Sequence, residues 1–177
     1  MPNLQVDSFQ YTFLPTIAAQ CYDTWQHYTA VWMNVAGGQK GMDVVAVESA
    51  AVPTTTWLIE AKDFRVITNP PKPSNIGGLA QAVADKTSDT LAGLEDATSN
   101  ARVASEKSHA TSALAAPAKR VVLHLEPHTG PHSTLFPAGF PASVLQRLRQ
   151  LVRAIDQNPL VLNISNTPAS GVPWTVA

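Results

Sequence analysis

Two short apolar segments that carry acidic residues constrain the fold of this chain most strongly. Residues 41–49 (GMDVVAVES) and 55–65 (TTWLIEAKDFR) are rich in β-branched side chains, as expected of strands buried in a sheet. Glu60 and Lys62 are two positions apart, so on a strand they point to the same face. Asp43 lies near the start of the first segment, directly before its apolar residues. A hairpin between the two segments would bring it beside Glu60. The sequence therefore predicts that an Asp, a Glu and a Lys converge at one end of a sheet.

The chemistry of this convergence favours a hard metal ion. Two carboxylates a few Å apart do not readily ionise together unless a cation neutralises them. Oxygen ligands of this kind favour Mg²⁺ or Mn²⁺, so Asp43 and Glu60 are the predicted metal ligands. Lys62 would orient or deprotonate a water, or stabilise charge that builds on a phosphate. The structural alternative is a surface hairpin whose charges are merely solvated.

The order of these residues resembles the PD-(D/E)XK nuclease superfamily. The pattern of that superfamily is an Asp, followed by Glu-x-Lys on the next strand. Here it reads Asp43, then Glu60-Ala61-Lys62, with 16 residues between Asp43 and Glu60. The likeness covers roughly residues 16–126.

Three further short sequence motifs are similar to those of small bacterial proteins with this fold. They are Lys40-x-x-Asp43, the Lys-x-x-Asp-Thr-Leu of residues 86–91, and the VVLHLE of residues 121–126. The resemblance implies a single restriction endonuclease-like domain over residues 1–177, built as a three-layer α/β sandwich with a central mixed β-sheet flanked by helices. It also implies a Mg²⁺-dependent or Mn²⁺-dependent phosphodiesterase acting on DNA.

The candidate phosphate contacts are three basic residues near this pattern. Lys40 precedes Asp43 in a loop, and its alternative interpretation is a solvated lysine. Arg65 follows Lys62 and would reach a phosphate from the end of the strand. In the superfamily the next helix often contributes a polar residue, and Lys86 is the candidate here. The alternative for Lys86 is a lysine whose stem covers apolar surface.

The chain departs from the superfamily on its first predicted helix, where many members carry an extra acid. Asp23 is the only acid between residues 16 and 34, which leaves either a two-carboxylate metal site or a role for Asp23. This departure and the net charge of −1 favour the alternative function, a catalytically inactive nuclease-fold protein acting as a binding or assembly module. A nucleotide-binding enzyme is disfavoured, because the Gly pairs at 37–38 and 77–78 do not have phosphate-loop spacing.

Hydrophobic periodicity predicts the remaining elements. They are an edge strand Phe9–Phe13, a helix over 16–35, a helix from Ser74 or Asn75 to about 97, an Ala-rich helix or connection over 99–117, a strand over 119–126, a long ordered loop over 127–141, a helix from Pro141 and a strand over 160–164. An exposed Trp174 in the tail would suggest docking on a partner or on the body of the chain itself.

Composition bounds the class of protein. A chain of 177 residues suggests one domain with a substantial core. The single Cys21 excludes an internal disulfide and a multi-cysteine zinc site. Residues 1–14 do not resemble a signal peptide and no apolar run has transmembrane length, so we expect a cytoplasmic protein without a membrane partner. A homodimer would suit cleavage of both strands of a duplex.

Overall fold

The described part of the chain comprises residues 1–35, 37–65, 76–128 and 136–177 of the computed structural model, and it contains both strands and helices. The strands are β1 (Asn3–Val6), β2 (Phe9–Phe13), β3 (Ile17–Cys21), β4 (Val44–Glu48), β5 (Thr55–Asp63), β6 (Ala118–Glu126), β7 (Leu160–Leu162) and β8 (Trp174–Val176). The helices are α1 (Gln26–Ala30), α2 (Ile76–Asn100), α3 (Ala104–Ala115) and α4 (Phe140–Leu151).

The central sheet is mixed and has the strand order β3-β4-β5-β6-β7. Strands β3, β4 and β5 are antiparallel neighbours, with Val44 opposite Ile59 in the β4–β5 pair. Strands β5, β6 and β7 run parallel. The hairpin predicted between the two apolar segments is therefore confirmed. It places Asp43, immediately before β4, close to Glu60 and Lys62 near the end of β5.

Helical crossovers join the parallel strands, because parallel neighbours cannot be connected by a tight turn. Helices α2 and α3 connect β5 to β6, and α4 connects β6 to β7. The helix predicted to end at about 97 extends to Asn100, and its residues Val83 and Leu94 are buried. The strand predicted over 119–126 is confirmed as β6, and the strand predicted over 160–164 is shorter. The Ala-rich segment contains α3, which its helix propensity permits.

Two hydrophobic cores lie on opposite faces of the central sheet. One core includes Val45, Leu58 and Leu123 together with apolar side chains of α2, α3 and α4. The other core packs Val44 and Ile59 against the three-stranded sheet β1-β2-β8. Successive strand residues alternate between these cores, as the period of two requires. The prediction of an α/β sandwich holds at this level, but in the described residues the helices pack on one face and the small sheet covers the other.

The helix predicted over residues 16–35 is wrong. Residues 17–21 form strand β3, which pairs with β4 over its whole length. A 3-10 turn (Tyr22–Thr24), the short helix α1 and a second 3-10 turn (Trp32–Asn34) follow. The exposed edge of β4 offers backbone hydrogen bonds to residues 17–21, and this tertiary pairing overrides the helical spacing of the aromatic residues.

The strand predicted over residues 9–13 forms, but it does not lie at the edge of its sheet. Residues 9–13 do form a strand with Phe9, Tyr11 and Phe13 buried, but β2 is the central strand of the small sheet rather than an edge strand. Part of the loop predicted over 127–141 lies outside the described residues. Within the described residues, no helix has both the length and the apolar character needed to cross a membrane.

Candidate active site

The β4–β5 hairpin brings two carboxylates to one end of the central sheet. Asp43 lies immediately before β4, and its Oδ2 accepts a hydrogen bond of 2.7 Å from the backbone N–H of Ala61. Glu60 lies in β5 with only 1% of its side chain exposed. Because Ala61 is the central residue of Glu60-Ala61-Lys62, Asp43 is bonded directly to the backbone of this tripeptide. The predicted convergence of Asp43, Glu60 and Lys62 therefore occurs in the structure.

Two lysines pair with the buried Glu60 carboxylate. Lys62 Nζ lies 2.7 Å from Glu60 Oε1. Lys86, on α2, donates to both oxygens of the same carboxylate, at 2.7 Å for Oε1 and 2.9 Å for Oε2. Its Nζ also lies 3.7 Å from Asp43 Oδ1. The Lys86 ammonium thus faces both carboxylates, whereas Lys62 forms its ion pair with Glu60.

Burial and the neighbouring lysine charges act in opposite directions on the pKa of Glu60, and burial and the Glu60 charge do so on the pKa of Lys62. Burial raises the pKa of Glu60, the charge of Asp43 raises it further, and the ammonium groups of Lys62 and Lys86 act in the lowering direction. Burial alone would lower the pKa of Lys62, but the charge and hydrogen bond of Glu60 outweigh it and the pKa is raised. Lys62 is therefore a cation at neutral pH in this arrangement. It can stabilise negative charge or orient a water, but it has no free lone pair with which to accept a proton.

Asp23 is a third acid near this pair. It lies in the 3-10 turn that follows β3, and the neighbouring Tyr22 N–H donates to the backbone carbonyl of Asp43 at 2.9 Å. Partial burial raises the pKa of Asp23, and the charge of Asp43 raises it further. The acid that the sequence left with an open role therefore belongs to the electrostatic neighbourhood of the site, although the turn around it is not the predicted helix.

The donor set suits a hard divalent cation in its chemistry. Asp43 and Glu60 supply carboxylate oxygens, the ligands that Mg²⁺ and Mn²⁺ prefer. Their oxygens face one common cation, the Lys86 ammonium, so the space between them is already a cation position. Among the described residues, however, no group of three or more His, Cys, Asp or Glu side chains is arranged to hold a metal ion. A metal held here would need backbone or water oxygens in addition to the two carboxylates.

The three predicted phosphate contacts lie in different places. Lys86 belongs to the site through its bonds to Glu60. Lys40 is exposed, and its backbone N–H donates to Asp89 Oδ2 at 3.0 Å. Arg65 makes two side-chain hydrogen bonds with Asp63, and its guanidinium lies 5.6 Å from the ring centroid of Phe9.

The position of Arg65 follows from its pairing with Asp63. Phe9 belongs to the core on the small-sheet side, so Arg65 and Asp63 lie on the face of β5 opposite Glu60. The arginine lowers the pKa of Asp63 to about 2 by hydrogen bonds that outweigh the effect of burial. Asp63 is therefore a buried salt-bridge partner of Arg65.

Helix α2 also holds the backbone that leads into Asp43, a role that the sequence did not reveal. Thr90 Oγ1 accepts the N–H of Met42 at 2.8 Å, and Asp89 accepts that of Lys40. The sequence does contain the residues that could have indicated this role, since the polar Asp89 and Thr90 lie about one helical turn after Lys86. Only the packing of α2 beside residues 40–42, which lead into β4, gives these residues their partners.

The fold and the site define a class, a mixed α/β protein with a carboxylate–lysine centre at the end of a β-hairpin. Among curated proteins the chain is similar to a cysteine–tRNA ligase of Neisseria meningitidis (serogroup A / serotype 4A, strain DSM 15465 / Z2491), with 27% identity over 192 aligned positions. The alignment covers 88% of this chain and 27% of the ligase, so the chain spans about a quarter of the length of that relative. No protein-family model matches the chain, and the search of solved structures gives no significant match.

Proposed function

We propose that this protein is a metal-dependent phosphodiesterase of the PD-(D/E)XK type, with DNA as its substrate. The observation that supports this function most directly is the bond from Ala61 N–H to Asp43, which joins the Asp to the Glu60-Ala61-Lys62 strand while Lys62 pairs with Glu60. This is the side-chain set that the sequence pattern implies for metal-assisted phosphodiester cleavage.

The strand order adds support at the level of the fold. An antiparallel β3-β4-β5 unit, followed by a helical crossover and the parallel strand β6, suits the restriction endonuclease-like arrangement. The site lies where α2 faces the end of this hairpin. The position of α1 after β3 is a departure, because the superfamily places its helix before the first of these strands.

Each residue has a defined role in the proposed reaction. Asp43 and Glu60 would hold Mg²⁺ or Mn²⁺, and the bound ion would supply a polarised water and neutralise phosphate charge. Lys62 stays protonated and stabilises the charge that develops on the phosphate oxygens. Lys86 and Lys40 supply positive charge toward the phosphate backbone. The remaining parts of the proposal are a single domain, a cytoplasmic location and a possible homodimer that would cut both strands of a duplex.

A second candidate function is a nuclease-fold binding or assembly module without turnover. The observation that favours it is the pairing of both Glu60 oxygens with lysine ammonium groups, which neutralises the carboxylate without a metal. In such a protein the lysines would be permanent structural partners of Glu60, and the hairpin end would bind its partner without hydrolysis.

Calorimetric titration with Mn²⁺ and Mg²⁺ tests the proposed function and separates it from the second candidate. We compare the wild type with Glu60→Gln and Asp43→Asn, and use Glu95→Gln as the control because Glu95 is an exposed acid on the same helix as Lys86. Plasmid DNA, single-stranded DNA and tRNA are incubated with the same samples. The tRNA is included because the similar protein is named as a tRNA ligase.

The expected result is metal binding and DNA cleavage in the wild type and in Glu95→Gln, with both lost in Glu60→Gln and Asp43→Asn. Asp43→Asn keeps the buried Glu60 and therefore serves where Glu60→Gln does not fold. Metal binding without cleavage of any nucleic acid would favour the binding module with a vestigial metal site. Absence of metal binding in the folded wild type would reject the catalytic proposal.

A further inference from the structure

We propose that the Lys86 ammonium is a built-in counter-cation of the candidate site, and that a divalent cation binds only by displacing it. This inference rests on the proposed metal site and goes beyond it, since it states what sets the metal affinity of the site. Lys86 bonds both oxygens of Glu60 and lies 3.7 Å from Asp43 Oδ1. It therefore faces the same two carboxylates that would hold the metal.

The need for such a counter-cation follows from the charges at the hairpin end. Glu60 is almost fully buried and lies beside the charge of Asp43, and Asp23 is in turn close to Asp43. A buried carboxylate without a paired cation is strongly unfavourable. Lys86 provides this pairing from α2, with 20% of its side chain exposed. Because part of the side chain is exposed, the ammonium can move into solvent when it leaves the carboxylates.

The two lysines on Glu60 differ in what a metal would require of them. Lys62 neighbours Glu60 on the same strand, and 36% of its side chain is exposed. Its ammonium can turn toward solvent or a phosphate, which releases the one Glu60 oxygen that it contacts. Lys86 occupies both Glu60 oxygens and faces Asp43, so its ammonium and a divalent cation compete for the same ligand atoms. A lysine ammonium and a metal cation bound to the same carboxylate oxygens would repel each other. Lys86 must therefore give up its hydrogen bonds to Glu60 before a metal can bind these oxygens.

Removal of the Lys86 charge should therefore strengthen metal binding. We expect Lys86→Met to bind Mn²⁺ roughly 10- to 100-fold more tightly than the wild type, the range that one or two charge-assisted hydrogen bonds represent. In EDTA the same variant should be less stable than the wild type, because Glu60 loses its main partner. Added Mn²⁺ should then raise the melting temperature of Lys86→Met more than that of the wild type.

The measurement is calorimetric titration with Mn²⁺ alone, accompanied by thermal melts in EDTA and in excess Mn²⁺. Lys86→Arg, which keeps the charge, should retain affinity close to that of the wild type. Lys107→Met is the matched control, since Lys107 is exposed on α3, where its ammonium donates to the backbone carbonyl of Ser99, and its side chain should not affect the affinity. Lys86→Gln removes the charge but keeps hydrogen-bond donors, and it replaces Lys86→Met where that variant does not fold.

The outcomes separate this inference from the proposed function. Equal Mn²⁺ affinity in the wild type and both neutral variants, or weaker binding in those variants, overturns the inference and leaves the metal site in place. Tight binding that appears only after Lys86 is neutralised supports the inference. Absence of binding in the wild type and in every folded variant overturns the metal site itself, and the inference with it.

Discussion

His124 is a buried titratable residue whose surroundings make folding sensitive to pH. It is fully buried between the sheets, with ring centroids 4.7 Å from Phe9 and 5.8 Å from Tyr11. Burial lowers the pKa of His124 to about 4, and the charge of Arg65 acts in the same direction. The folded state therefore holds the imidazole neutral, on the face of the sheet opposite the candidate site.

The free energy of unfolding should fall as the pH is lowered from 6.5 to about 4. In this window His124 is protonated in the unfolded chain and still neutral in the folded protein, so acid favours unfolding. The full effect is roughly 3 kcal/mol, from the difference between the ordinary and the lowered pKa. The stability that His124 confers is complete above pH 6.5. Urea unfolding at pH 7 and pH 4.5 measures the difference.

The control for this prediction is His124→Phe, which keeps an aromatic ring and removes the titration. Its stability should change much less between the two pH values. His109 is also buried with a lowered pKa, so His109→Gln is measured in parallel to account for its share. The lowered pKa of Asp63 acts only below its ordinary value of 3.8, outside this window. A His124→Phe variant with the full pH dependence of the wild type would contradict the prediction.

At the scale of single residues, the sequence predicts correctly which side chains share a face of a strand, because the two-residue period of a strand determines this. Glu60 and Lys62 share a face because they are two apart on a strand, and the structure has them paired. The same period places Arg65 with Asp63, which separates it from the candidate site. The double contact of Lys86 with Glu60 and Asp43 could not be read from periodicity. It depends on how α2 packs across the hairpin.

Among the elements, α2 makes a close contact at Gly93 with the segment that follows β3. A Cβ on Gly93 would lie 2.2 Å from Tyr22 Oη and 2.7 Å from Trp32 Nε1. The Trp32 indole N–H donates to the carbonyl of Asp89 in α2 at 3.0 Å, which holds this contact in place. The glycine lets two bulky aromatic side chains approach the helix.

Gly93→Ala should destabilise the protein although alanine is the better helix former. The gain in helix propensity is about 1 kcal/mol, whereas forcing a methyl group into a packed contact typically costs about 1–3 kcal/mol. Tyr22 is fully buried and has little freedom to move away. We therefore expect a net loss of stability in urea unfolding, together with a change in tryptophan fluorescence from Trp32.

Gly139→Ala is the control for this prediction, because a Cβ at Gly139 meets no atom within 4 Å. It should leave the stability nearly unchanged. A Gly93→Ala protein as stable as the wild type would show that the aromatic side chains yield to the added methyl group without cost.

The elements that the sequence predicted correctly are those with a clear pattern over many residues. Strands β4, β5 and β6 each contain a short apolar run, and α2 repeats buried residues at helical spacing. The failure over residues 16–35 has a physical reason. Tyr22 and Trp25 have helical spacing and are indeed buried, but residues 17–21 are fixed as a strand by pairing with β4, which is distant in sequence.

Whole-molecule architecture depends on pairings that local sequence does not specify. The small sheet combines β1 and β2 near one end of the described chain with β8 near the other. Strand β8 has only 3 residues, too few for a periodic signal. The sequence therefore predicted helices around the central sheet, and it left open whether Trp174 docks on a partner or on the chain itself. In the structure Trp174 packs against its own chain, with 3% of its surface exposed.

Trp174 joins the small sheet to the central sheet. Its ring lies 5.1 Å from Trp57 in β5 and 5.7 Å from Phe13 in β2, measured between centroids. Trp174→Ala should lower the free energy of unfolding by about 3–5 kcal/mol, the usual cost of deleting a large buried aromatic side chain. Urea unfolding followed by circular dichroism measures the loss. Val52→Ala is the control, because Val52 is fully exposed and should change the stability by less than about 0.5 kcal/mol.

The urea dependence and the metal affinity of Trp174→Ala test how far the two faces of the central sheet are independent. If the small sheet detaches before the rest unfolds, the slope of free energy against urea falls, because less surface is exposed in the main transition. Glu60 and Lys62 project from the face of β5 that the helices cover, and Lys86 reaches Glu60 from α2. Mn²⁺ affinity in the folded variant should therefore equal that of the wild type. A marked loss of affinity would mean that the small sheet supports the hairpin end, and that the site depends on both layers.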